Sequence, residues 1–113
     1  MRLHIYKIEE DRTADRAEVY VYGAFTAAEA KAKVESIWAE LAPSEQKHAN
    51  VYAQGFDLDT DAIPDWVLDD LDIPRDFDPR TLSEEKLSPL LASIDESLML
   101  PPYDIAADIS CSE

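Results

Sequence analysis

Asp57-Leu58-Asp59-Thr60-Asp61 has the D-x-D-x-D opening of a calcium-binding EF-hand loop, the most specific chemical signal in this chain. Such a loop needs glycine at its sixth position for the sharp turn and a bidentate glutamate at its twelfth. Here those positions hold Ala62 and Leu68, so the motif fails both requirements, and no metal site is assigned. His4 and His48 are the only imidazoles; His4 lies in a strand-like segment and His48 in a polar loop, with no flanking Cys, His or Asp at ligand spacing to His48. We read both as structural or solvent-facing. Cys111 is the single cysteine, which excludes an internal disulfide and a four-cysteine zinc site, and its place near the C-terminus does not suit a nucleophile. Gly23 and Gly55, the only glycines, both fall in strand-like runs, so no glycine-rich phosphate loop exists. We assign no catalytic residue and no cofactor, and do not expect an enzyme.

Carboxylates are what the sequence has in excess. Twenty-five acidic residues stand against ten basic ones over 113 residues, a net charge of −15. Residues 57–78 hold nine aspartates against Arg75 alone, whereas residues 1–56 are almost neutral, with nine acidic and seven basic side chains. Solubility gives no reason to concentrate like charge in this way, and the mutual repulsion costs stability that a partner could offset. Net negative charge also excludes binding to nucleic-acid phosphates or to anionic lipid, since both need clustered cations. No apolar run approaches the ~20 residues of a membrane span, and the N-terminus lacks a signal-peptide core. The expectation is a soluble, cytoplasmic domain.

The elements that must position these carboxylates follow from periodicity. Residues 3–8 and 17–25 read as strands of an antiparallel hairpin, joined by a polar loop over 9–16. Thr26-Ala27-Ala28-Glu29 reads as a capping box opening a helix that carries Ala27, Ala30, Val34, Ile37, Trp38 and Leu41 on its apolar face and stops before Pro43. Trp38 is assigned to the core. A third strand is read over 50–58, with Gly55 weakening its alternation, and a short helix from Pro64 to Leu71; a further helix opens at Thr81 or Ser83, carries Leu87, Leu90, Leu91, Ile94 and Leu98 on one face, and ends at Pro101-Pro102. The fold class is α+β within a single domain: a ββαβ body over 1–58, an acidic helical part over 59–100, and a tail over 101–113.

On that framework Asp65, Asp69 and Asp72 make one stripe of the short helix, while Asp57, Asp59 and Asp61 project together from an extended stretch. With Asp70, Asp76 and Asp78 they form a candidate protein-binding surface of closely spaced negative charge, comparable with the phosphates of duplex DNA. Trp66 lies among them; it either docks the helix, the reading we favour, or stands exposed as an interaction hot spot.

The short length, the pI near 4 and the Asp-dense stretch from Asp57 to Asp78 resemble small phage-encoded inhibitors, including DNA-mimicking anti-restriction and anti-CRISPR proteins. The resemblance implies a partner with a basic nucleic-acid-binding groove, such as a host defence nuclease or a CRISPR effector. It also implies action in the host cytoplasm and no direct contact with nucleic acid. A homodimer is compatible with it. Two other classes fit a small acidic chain: an immunity protein or antitoxin that caps a basic toxin, and a salt-adapted structural domain. The uneven charge argues against the last.

Overall fold

The first strand, β1 (Arg2–Arg12), is apolar on both sides at its middle, and that places it inside a sheet. The structure, a computed structural model, describes residues 1–12 and 18–110. β1 pairs antiparallel with β2 (Glu18–Ala24) on one side and with β3 (Ala49–Asp59) on the other. A fourth strand, β4 (Met99–Ser110), pairs antiparallel with β3, giving the order β2-β1-β3-β4. The expected hairpin is therefore present, but the polar loop expected over 9–16 is shorter: Glu9 to Arg12 continue β1 and pair with Val21 to Glu18, and residues 13–17 lie outside the described residues.

Alternation along β1 and β3 sends two apolar sets to opposite faces. Tyr6, Ile8, Val51 and Ala53 form one core with Ala30 and Val34 of α1 (Ala27–Glu40). Ile5, Phe56 and Leu58 form the other, covered by α3 (Asp65–Asp70) and α4 (Glu84–Ser93), with Ile63, Val67, Leu68, Leu87, Leu90 and Leu91. A four-residue helix, α2 (Pro43–Gln46), leads from α1 into β3. The sheet is thus clad on both faces, which satisfies the α+β expectation and explains how a chain this short buries two cores.

The helix starts are those the sequence signals. Thr26 Oγ1 accepts from the Glu29 amide at 3.1 Å, and the Glu29 carboxylate reaches back to the Phe25 amide. Lys33 of α1 donates to the Gly23 carbonyl and pairs with Glu84, tying α1 to β2 and to the start of α4. Gly23 is needed for close approach: a Cβ there would meet Leu87 Cδ2 at 2.7 Å and Leu91 Cδ1 at 2.8 Å. Trp38 departs from expectation, being half-buried at the edge of the α1 core.

Two larger corrections concern the C-terminal half. Residues 101–110 are not a tail but most of β4, and Cys111 lies outside the described residues. The last helix does not run to Pro101-Pro102; it ends at Ser93, and the two prolines sit within β4. Proline is tolerated there because β4 is an edge strand, with ladder bonds required on one side only.

Candidate functional site

The acidic segment does not form one face. Asp57 and Asp59 lie in β3, and the Asp57 side chain points to the α1 side of the sheet; α3 packs on the opposite side. Several carboxylates are also neutralised by cations from within the chain. Asp57 accepts from Arg2 Nε at 3.2 Å, Asp61 pairs with the Met1 ammonium at 3.0 Å, and Asp78 with Arg80 Nη2 at 2.9 Å. Asp65 pairs with Arg75, whose guanidinium also donates to the carbonyls of Thr60 and Ile63. The single cation of the segment is thus a staple between the turn at Thr60–Ala62 and α3. Asp59 caps that turn by accepting from the Asp61 amide. Arg80 holds the Asp78 carboxyl below its usual range, by side-chain and then backbone hydrogen bonds.

Four carboxylates remain. Asp69, Asp70, Asp72 and Asp76 are exposed, and among the described residues none of these side chains has an ion pair or hydrogen-bond partner. Three of them crowd the C-terminal end of α3. The Ile73 amide donates to Leu68 O at 2.9 Å and the Asp72 amide to Asp69 O at 3.2 Å, with Asp72 at φ 54°. This is a Schellman closure, with aspartate in the left-handed position that glycine or asparagine usually takes. The helix therefore ends at Asp70, and Asp72 leaves the Asp65–Asp69 stripe that a longer helix would have continued. Negative charge at a helix C-terminus also opposes the backbone dipole, so these aspartates do not serve local stability.

Trp66, expected to dock α3, does not. It is 64% exposed, because Ile63, Val67 and Leu68 already supply the apolar contacts of that helix. A large aromatic side chain is left on the surface beside the α3 carboxylates.

A second polar cluster was not foreseen. His4 on β1 stands between two carboxylates: Nδ1 is 2.7 Å from Asp57 Oδ1 on β3, and Nε2 is 2.6 Å from Asp104 Oδ1 on β4. Tyr6 Oη donates to the other oxygen of Asp104 at 2.7 Å, and its ring meets the imidazole edge-on at 5.3 Å between centroids. Only an imidazolium can donate to both carboxylates at once. The pKa of His4 is accordingly raised, by the Asp57 bond first and by Asp104, against the opposing effect of burial. Asp57 and Asp104 are both held low, chiefly by their hydrogen bonds from His4 and Tyr6 respectively, and Tyr6 is raised by Asp104. The cluster depends on Gly55, where a Cβ would collide with Asp104 Oδ1 and lie 2.7 Å from His4 Nε2. With both ring nitrogens engaged, His4 is a clasp on the edge strand and not a free general base. Asp57 belongs to this clasp rather than to a binding surface.

Among the described residues no three His, Cys, Asp or Glu side chains are grouped so as to hold a metal ion, and no helix is long and apolar enough to cross a membrane. No known family model, curated protein or solved structure matches the chain.

Proposed function

We propose that this protein is an acidic inhibitor of the anti-restriction or anti-CRISPR type, which binds a nucleic-acid-binding protein through a carboxylate surface standing in for phosphates. The surface is narrower than the aspartate count suggests: Asp69, Asp70, Asp72 and Asp76, with Trp66 beside them. The observation that carries the reading is that these four carboxylates are exposed and, among the described residues, take no ion pair, Lys86 donating to the Asp72 backbone carbonyl at 2.8 Å rather than to a carboxylate, while three of them oppose the dipole at the end of α3. A basic groove would supply the missing counter-charge and would be steered toward the site. Asp57, Asp61, Asp65 and Asp78 contribute long-range field but are already paired.

The test compares wild type with a variant carrying Asn at 69, 70, 72 and 76 as baits in a lysate of the source host. Wild type should retain a nucleic-acid-binding protein that duplex DNA elutes competitively, and the variant should retain at least tenfold less. Equal retention by both baits would remove the basis of the proposal. The exposed Trp66 favours one alternative, an immunity-type protein that recognises a single basic toxin. In that case the captured protein resists elution by DNA and depends on Trp66 more than on the four aspartates.

A further inference from the structure

Trp66 forms one wall of an open groove of about 440 Å³ between α3 and the C-terminal end of α4. Ala62, Pro64, Leu98 and the edge of the buried Val67 supply the rest of its apolar lining. At its polar rim lie Ser97 and Asp95. One oxygen of Asp95 caps the 3₁₀ turn Glu96–Leu98 by accepting from the Ser97 amide at 3.1 Å. Among the described residues no cation pairs with Asp95, and Arg75 is committed to Asp65 and to two backbone carbonyls. The groove therefore combines an exposed indole, an apolar wall and one carboxylate without counter-charge.

We infer that this groove takes an arginine side chain of the protein partner. The inference rests on the protein-partner reading above and names the group of the partner that enters here. Charge complementarity selects a cation: the chain carries −15, and Asp95 is the one acidic side chain of the lining. The shape selects arginine. Its methylene stem covers Pro64 and Leu98, its planar guanidinium stacks on the Trp66 indole, and its N–H groups reach the Asp95 oxygen that the cap leaves free. A lysine ammonium offers neither the flat face nor the fork, and a neutral side chain leaves Asp95 unpaired. This contact also supplies what a row of carboxylates lacks, an apolar anchor that excludes water from part of the interface.

The probe is a capped tripeptide, Ala-Arg-Ala, titrated into the full chain while the Trp66 indole N–H is followed by NMR. A Trp66→Phe variant assigns that resonance against Trp38. The expected result is saturable movement of the Trp66 indole and of the Ser97 and Leu98 amides, with binding at least fivefold weaker for the citrulline or lysine peptide. Asp95→Asn keeps an oxygen for the Ser97 amide and should lower affinity for the arginine peptide at least fivefold without loss of fold. Three results overturn the assignment: an unmoved Trp66 resonance, equal binding of the citrulline or lysine peptide, or an undiminished affinity in Asp95→Asn. The variant with Asn at 69, 70, 72 and 76 separates the two ideas. If it still binds the arginine peptide but captures the cellular partner undiminished, the carboxylate reading fails alone; if wild type captures a DNA-displaceable partner and the groove ignores arginine, only the groove assignment fails.

Discussion

His4 couples the edge of the sheet to pH, and the sign follows from its neighbours. Its pKa lies above the ordinary 6.5, so its contribution to stability is complete below 6.5 and is lost as pH rises through the higher folded value. Asp57 and Asp104 lie below the ordinary 3.8, so their contribution is present above 3.8 and is lost as pH falls through their folded values. The clasp is strongest between those limits. The difference in urea midpoint between wild type and His4→Gln should accordingly be large near pH 5.5 and shrink toward pH 9; a constant difference would show that the imidazolium is not what holds Asp57 and Asp104. Gly55→Ala should destabilise by ~1–3 kcal/mol, since the added methyl forces Asp104 and His4 apart, and should bring the His4 titration back toward 6.5. Neither role could be read along the chain. His4 meets partners 53 and 100 positions away, and spacing arguments reach only neighbours on one element. Gly55, by contrast, did show as an interruption of strand alternation, without revealing what the missing side chain makes room for.

Elements with local signals formed where the sequence placed them. Thr26 and Glu29 begin α1 as a capping box implies, and Thr26→Ala should cost ~1 kcal/mol in a urea melt; an unchanged midpoint would mean that the cap does not limit stability. Strand β4 was illegible because its signals conflict. Two prolines, Asp104 and Asp108 interrupt its apolar residues, and a register shift opposite Ala53 and Gln54 breaks the period of two. Its strand conformation comes from pairing with β3, a tertiary cause. The end of α3 was misjudged for a different reason: aspartate was read as continuing the helix, whereas Asp72 occupies the left-handed closing position. That geometry allows a separation of stability from binding. Replacing Asp69, Asp70 and Asp72 by Asn removes negative charge from a helix C-terminus and should stabilise the fold by ~0.3–1 kcal/mol while weakening capture of the proposed partner. Loss of both stability and binding would point instead to damage to the fold.

At the scale of the molecule, the charge imbalance was legible from composition, but its distribution was not. Arg2 and the Met1 ammonium reach Asp57 and Asp61 across 55 and 60 positions, so the sheet itself neutralises part of the acidic stretch. What remains should make salt act in opposite directions on two observables. Raising NaCl from ~0.01 to ~0.5 M shortens the screening length from about 30 Å to a few ångströms. The thermal midpoint should rise as self-repulsion is screened, while binding to the proposed partner should weaken; a midpoint that falls with salt would assign the internal ion pairs the larger share. The sheet order β2-β1-β3-β4 also has a consequence in time. Only the β1–β2 pairing is local: β1 waits for β3, where Ile5 finds Phe56, and β3 waits for β4, where Val51 finds Ile109. Each of these closures spans about fifty residues of chain and must be completed before its contacts repay the lost entropy. Folding should therefore proceed in milliseconds or slower, with α1 and the first hairpin forming early and the edge strand arriving last.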